Sequence, residues 1–449
     1  VDTGDRRVLT GSRSPLMGSG AGSEAHGTAR ERHVREIAGR LGVADFVFAA
    51  PPVAKGAASR EAAGDGLLVV GSRGAVVQVK AREPDARTTD TPEKAERWVR
   101  KNARKALDQG RGTRREILRR AKLGEPIRVT PVRAAELPSE ISQKYQLTVD
   151  HDVLSWPVIV IVDHPLATGV DLGFERDCVW LTLADWLELH RRLRSVSATL
   201  TYIERIFRDE AHVPLGREVW RYHAFHEADV TVTLDAPPST LPYLAHPDEF
   251  DRTGADLFHD IMEKVWPDDG VVPWLCADDY RRVVEFLDRV PPSFQAEIGW
   301  WFFRKRSEIA NGQYRSSGVV GLEHRDRLVF ACAHVRKWPG EDDWRAEIAA
   351  LASLRHQHGL DSGAPADSVT LAIGALVEDR PPDTGVAYVF VLLRGQEALI
   401  PLPPKVRTIM EAEYGIFDQG RGTVIKPTAP RKGPCPCGSG KKYKRCCGS

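Results

Sequence analysis

The chain has 449 residues, of which 42% are hydrophobic, 28% charged and 8% aromatic. That composition excludes a fibrous or wholly disordered protein and leaves room for two to four domains, each able to bury its own core. No apolar run approaches the ~18 residues a membrane helix needs, and the first thirty residues hold no apolar signal core. We therefore expect neither a membrane protein nor a secreted one.

The net charge of +1 conceals an asymmetry. Between Arg97 and Lys122 stand eleven Lys or Arg against Asp108 and Glu116. From Val424 to the end there are seven Lys or Arg and no acid. A basic block of that density points to a phosphate-bearing partner; a solvated helix face is the plainer alternative. Cys178, Cys276 and Cys332 are isolated in apolar surroundings, which reads as buried thiols and not as a disulfide framework. A reducing, cytoplasmic setting follows. Arg outnumbers Lys 47 to 16, the usage of a GC-rich bacterial genome.

In chain order, residues 1–28 read as a disordered tail rich in Gly and Ser. Apolar residues at 34, 37, 38 and 41 predict a helix over 29–41. Strands are expected at 45–50, 65–70 and 75–79, the last two joined by the turn Gly71-Ser72-Arg73-Gly74. A long basic helix should follow over 91–122, broken near Gly110 and Gly112. Val158 to Val162 has the unbroken apolar character of a central strand. A further strand at 178–183 leads into helices at 184–194 and 197–209. Beyond residue 213 the pattern predicts helices at 252–266, 279–290 and 293–311. Strands at 316–321, 328–335, 368–375 and 386–394 follow, with a helix at 342–355, giving an α+β region with an antiparallel sheet. The division is then a tail (1–28), an α/β domain (29–212), an α+β domain of unread role (213–420), a linker (421–433) and a cysteine-rich end (434–449).

The end of the chain carries Cys435, Cys437, Cys446 and Cys447 in the order C-x-C, eight residues, C-C. Four thiolates make a closed tetrahedral zinc site with no open position for chemistry. So small a unit has little apolar core, so the metal must supply most of its folding energy. This stretch resembles the SEC-C motif, the zinc knuckle of SecA translocase ATPases. The resemblance implies a structural Zn2+ held by the four cysteines and a protein partner, in the translocation or ribosome machinery, met through the knuckle. The chain has no G-x-x-x-x-G-K-[ST] phosphate loop, so the resemblance does not extend to the motor.

The second motif lies on the first hairpin. Asp65 opens one strand, and Gln78 and Lys80 lie near the end of the next. Residues i and i+2 of a strand share a face, so Gln78 and Lys80 project together, across from Asp65, while Val77 and Val79 enter the core. This resembles the PD-(D/E)xK nucleases in their Mrr-like D…QxK form. The resemblance implies a restriction-endonuclease-like fold and Mg2+-dependent hydrolysis of phosphodiesters, in defence against foreign DNA. Asp65 and Gln78 would hold Mg2+, a hard ion suited to oxygen donors. Lys80 would act on the water or the phosphate. Gln78 leaves the site one carboxylate short, and Glu61 or Glu36 are the candidates to restore it, Glu61 being nearer in sequence. Nucleic acid, with DNA expected ahead of RNA, would lie along Arg100, Lys101, Arg104 and Lys105. Two competing readings remain: the same fold without catalysis, holding nucleic acid only, and an adaptor recruited by the zinc knuckle.

Weaker signals were weighed against plain structural readings. Trp300-Trp301-Phe302-Phe303 before Arg304-Lys305-Arg306 is read as core ahead of a stacking platform, and His223 with His226 as structural ahead of metal-binding.

Overall fold

In the computed structural model, the described residues are 26–49, 52–55, 59–62, 65–83, 85, 90–135, 137–149, 153–234, 242–265, 277–310, 315–321, 326–334, 341–377, 386–395 and 402–414. The zinc knuckle, the linker before it and residues 1–25 lie outside them.

The chain forms a mixed α/β protein with two principal sheets. Helix α1 (His26–Leu41) buries Val34, Ile37 and Ala38, the expected stripe, and begins three residues earlier than the periodicity suggested. A two-residue strand β1 (Val47–Phe48) follows, shorter than expected because a 3-10 turn occupies Ala44–Phe46. The hairpin β2 (Pro52–Lys55) and β3 (Ser59–Ala62) precedes β4 (Gly66–Val70) and β5 (Arg73–Ala81). Helix α2 (Pro92–Lys122) then runs 31 residues without interruption. The small hairpin β6 (Ile127–Val129) and β7 (Leu147–Val149) comes next, then β8 (Val158–Asp163) and β9 (Cys178–Thr182).

The first sheet has the order β1-β4-β5-β8-β9. β4 and β5 are antiparallel, while β5, β8 and β9 run parallel, with Val77 opposite Ile159 and Lys80 opposite Val162. α2 makes the parallel β5–β8 connection possible, carrying the chain back over one face. Its Val99, Ala103, Ala106 and Leu107 pack on Val158, Val160 and Val162. Gly110 lies against Val158, where a β-carbon would come within 3.0 Å of Cγ2 and closer still to Cγ1. The expected break at Gly110 and Gly112 is therefore absent. Gly110 is a site of close approach between helix and strand, not a helix end.

The opposite face of the sheet is covered by α1, α3 (Leu183–Leu193) and α4 (Val196–Arg208). Their core continues into α5 (Glu218–Leu234), α6 (Glu249–Glu263), α7 (Ala277–Asp288) and α8 (Pro292–Ala310). Side chains on either side of residue 213 are tied together by a buried network. Arg133 Nε donates to Asp45 at 2.6 Å and Nη1 to Glu263 at 2.8 Å. The Tyr280 hydroxyl donates to the other Asp45 oxygen at 2.9 Å. Asp288, fully buried, accepts from the backbone N–H groups of Val196 (2.9 Å) and Ser197 (2.7 Å) at the start of α4.

The second sheet is β10 (Arg315–Gly321), β11 (Arg327–His334), β12 (Val369–Val377) and β13 (Val386–Arg394), in that order. Its central pair, β11 and β12, is parallel, so the sheet is mixed and not antiparallel as expected. Helix α9 (Glu341–Asp361) forms the crossover that parallel pairing requires and packs on one face through Trp344, Ile348 and Leu351. Helix α10 (Pro404–Tyr414) adds Met410 to that face. Trp301 and Phe302 of α8 pack against Phe330 on the other. The aromatic run thus divides. Trp301 and Phe302 are core, while Phe303 is 52% exposed and Trp300 stacks on Phe250 with ring centroids 4.5 Å apart.

Candidate functional site

The register of the first hairpin pairs Gly66 with Val77. Asp65 stands one residue before that ladder, beside the stretch of β5 that carries Gln78 and Lys80. The Asp65 backbone N–H donates to the Val77 carbonyl at 3.3 Å, and Asp65 Oδ2 accepts from the Val79 N–H at 2.5 Å. The carboxylate is thereby clamped onto β5 between Gln78 and Lys80. Val77 and Val79 enter the core beneath α1, as the alternation requires.

The carboxylate that joins Asp65 is neither Glu61 nor Glu36. Glu61 lies in β3, where it pairs with Val53, and its side chain is outside the described residues. Glu36 is exposed and turned towards Arg32 and His33 of its own helix. Glu31, in the second turn of α1, shares a side-chain hydrogen bond with Asp65. Burial, and then the negative charge of Asp65, push the Glu31 carboxyl up to about 7. Burial likewise raises Asp65, while the Val79 N–H, Lys80 and Arg35 pull it back. Two carboxyls this close each make the other's ionisation more costly. Arg35, one turn after Glu31, donates to the Asp65 carbonyl and fixes the helix against the strand end. Sequence spacing could not reveal Glu31, which stands 34 residues from Asp65; only the packing of α1 brings it there.

Gln78 is 2% exposed, and its Nε2 has no hydrogen-bond partner. A buried amide without a partner is costly. Val76, two residues earlier on the same face of β5, packs with Ile117 of α2, so Gln78 faces that helix. Among the described residues no group of three His, Cys, Asp or Glu side chains is gathered around a metal-sized space. The donor set that the packing brings together is the two carboxylates of Glu31 and Asp65. It fits Mg2+, which takes few protein oxygens and keeps its waters. A bound cation would offset the charge of both carboxylates.

The strand ends are held by a second set of charges. Asp90, whose side chain is fully buried, accepts from Arg82 at 3.0 Å and pairs with Lys94 at 2.9 Å. Those two bonds hold its carboxyl well below the usual range. His164 Nδ1 accepts from the Leu166 N–H at 3.0 Å, so its Nε2 carries the hydrogen and donates to Asp90 at 3.2 Å. Arg30 pairs with Asp163 at 3.0 Å. Arg82, Asp90 and His164 thus brace the end of β5 two residues beyond Lys80.

The four expected nucleic-acid contacts divide. Arg100 bonds Glu96 at 2.7 Å and the Asp171 carbonyl at 2.6 Å, and Arg104 pairs with Glu175. Lys101 and Lys105 are exposed, and neither makes an ion pair among the described residues. His226 and His246 are in edge contact at 5.0 Å, and burial pushes His226 down to about 4.

The SEC-C motif profile matches residues 431–449. The SecA translocase subunit of Carboxydothermus hydrogenoformans is 27% identical over 259 residues, 55% of this chain and 26% of the relative. SecA 1 of Alkaliphilus metalliredigens is 34% identical over 113 residues, 23% of this chain and 12% of the relative. The UPF0225 protein plu2503 of Photorhabdus laumondii is 75% identical over 24 residues, 5% of this chain and 15% of the relative. The chain therefore spans about a quarter or less of the length of these curated relatives. No solved structure matches. No helix among the described residues is long and apolar enough to cross a membrane. What the comparisons establish is a SEC-C motif at the C-terminus of a mixed α/β chain, with partial similarity to SecA.

Proposed function

We propose that the α/β body is a restriction-endonuclease-like domain that hydrolyses phosphodiesters with Mg2+, and that the SEC-C tail binds zinc and docks a protein partner. The meeting of Glu31, Asp65 and Lys80 at the end of the first hairpin carries the first half. Asp65 and Glu31 would hold the ion. Bound Mg2+ would lower the pKa of its water and offset charge developing on the phosphate. Lys80 would then position the scissile phosphate and move a proton to or from the water, and the Arg82–Asp90–His164 brace keeps it at the strand end. The division at residue 213 belongs to this same proposal, the second region serving as a scaffold that shares the core.

The test is cleavage of a panel of DNA and RNA with Mg2+ and with EDTA. Asp65→Asn, Glu31→Gln and Lys80→Ala should each abolish Mg2+-dependent cleavage. Wild-type protein that cleaves nothing, yet binds nucleic acid, would reduce the body to a binding module.

The second reading is an adaptor of the translocation or ribosome machinery. The SEC-C match and the partial SecA similarity favour it, and they weigh more for this reading than for hydrolysis. Cys435, Cys437, Cys446 and Cys447 would hold one Zn2+, and the knuckle would present its lysines to a partner. Pull-down with the full chain and with residues 430–449 removed distinguishes this reading, which requires that capture depend on the tail.

A further inference from the structure

Helix α2 carries its positive charge on two neighbouring faces. On the flank towards β9, Arg111 bonds Asp177 at 2.6 Å and Arg114, nearly buried, reaches Asp177 at 2.5 Å and the Trp156 carbonyl at 2.6 Å. Arg100 is held by the Asp171 carbonyl, and Arg104, though exposed on the outer face, is paired with Glu175. These four cations are spent within the molecule.

The outermost face is different. Arg97, Lys101, Lys105, Arg115 and Lys122 are separated by four, four, ten and seven residues, which places them on one stripe of an α-helix; Arg104 and Arg119 project onto the same stripe but are paired with Glu175 and Glu116. The stripe lies opposite the buried row of Val99, Ala103, Ala106 and Ile117. All five are exposed, and none makes an ion pair among the described residues. At 1.5 Å per residue, Arg97 to Lys105 covers about 12 Å and Arg115 to Lys122 about 10 Å, with a gap of about 15 Å between the two groups. Asp108 and Gly112 occupy the stripe within that gap.

We propose that this stripe is a docking surface for duplex nucleic acid, its two cationic groups taking the phosphates on either side of one groove. This rests on the nucleic-acid reading of the body given above. The gap is comparable with the ~12 Å width of a major groove, across which no phosphate lies. The stripe offers no aromatic platform for unpaired bases, which argues against a single strand. Trp98, the one aromatic residue of α2, is half-buried beneath the Arg82 guanidinium. The contacts are therefore backbone contacts, which set position and not sequence. α2 runs back along β5 and β8, with Gly110 at the start of β8 and Val99 near its end. The Arg97 end of the stripe consequently lies at the end of the sheet that carries Asp65 and Lys80.

The experiment uses the full chain in EDTA and a labelled duplex of about 25 base pairs, with affinity measured by anisotropy over a range of salt. Lys101→Gln/Lys105→Gln and Arg115→Gln/Lys122→Gln should each lower the slope of log K against log salt by about 1.8, and the quadruple variant by about 3.6. Arg104→Gln, which removes a cation already paired with Glu175, should leave the slope unchanged. Circular dichroism confirms that each variant keeps its helix. A stripe variant with the wild-type slope, or an Arg104→Gln slope that falls as far, overturns the inference alone. A wild-type chain that binds neither duplex nor single strand overturns the nucleic-acid reading with it. Poly-glutamate bound as tightly and with the same stripe dependence would overturn the duplex assignment. Mg2+-dependent cleavage is measured separately, so failure of hydrolysis leaves this result intact.

Discussion

Gly110→Ala and Gly112→Ala separate helix propensity from packing within two residues of one helix. Glycine inside an exposed helix costs about 1 kcal/mol relative to alanine. At Gly112 a β-carbon would meet nothing nearer than the Arg115 guanidinium at 3.9 Å, so the substitution should recover most of that amount. At Gly110 the same β-carbon would stand 3.3 Å from Val158 Cβ, 3.0 Å from Cγ2 and closer to Cγ1. Carbon atoms prefer about 3.5–4.0 Å. Val158 is fully buried in the central strand, and a β-branched side chain has few rotamers to yield. The helix must lift from the sheet instead, at a cost near the upper end of the ~1–3 kcal/mol usual for overpacking. Set against the propensity gain, Gly110→Ala should destabilise by about 1–2 kcal/mol. Thermal melts followed by circular dichroism should move in opposite directions, by a few degrees each. Gly110→Ala combined with Val158→Ala should lose less than the sum of the two single changes, since the methyls that clash are gone. A Gly110→Ala protein that melts higher than wild type, as Gly112→Ala should, would show that α2 does not seat on β8 at this point.

Other perturbations test other parts of the molecule. Arg133→Met strands Asp45 in the core and should cost about 3–5 kcal/mol, read by urea unfolding, with both sheets lost in one transition because the network joins them. Burial pushes His190 down to about 3, with Arg194 adding to the effect, and His259 down to about 4. A histidine with a lowered folded pKa contributes stability that is present above about 6.5 and is lost as pH falls towards the folded value. His190 alone should therefore cost about 1 kcal/mol between pH 6.5 and 5.5, and His190→Phe should flatten that limb. Gln78→Glu buries a carboxyl against α2, so its melting temperature should fall below wild type; an unchanged melt would count against Gln78 facing that helix. Removal of residues 430–449 should eliminate one equivalent of zinc by elemental analysis and leave the body's melt unchanged.

Local chemistry is what the sequence determined by itself. The alternation of β4 and β5 and the placement of Asp65, Gln78 and Lys80 all depend on residues within about fifteen positions of one another, though the turn between the strands is Gly71-Ser72 alone, Arg73 and Gly74 being part of β5. The period of a strand decides which of them share a face. The cysteine spacing is legible for the same reason, and it is the part that the family comparison matches. The four strands of the second region and the helices α6 to α9 could be read from their periodicity, whereas α5 and α10 were not expected. The parallel pairing of β11 and β12 could not, because periodicity carries no strand direction; α9 supplies it by returning the chain over the sheet. Three features of the candidate site were decided only by tertiary structure. Glu31 reaches Asp65 through the packing of α1. Four of the eleven cations of the basic helix are engaged by the Asp171 carbonyl and the Glu175 and Asp177 carboxylates, residues some seventy positions away. Gly110, read locally as a helix breaker, is the point where helix and strand come closest. Each depends on what lies opposite a residue in space, and a linear pattern records only what lies beside it in the chain.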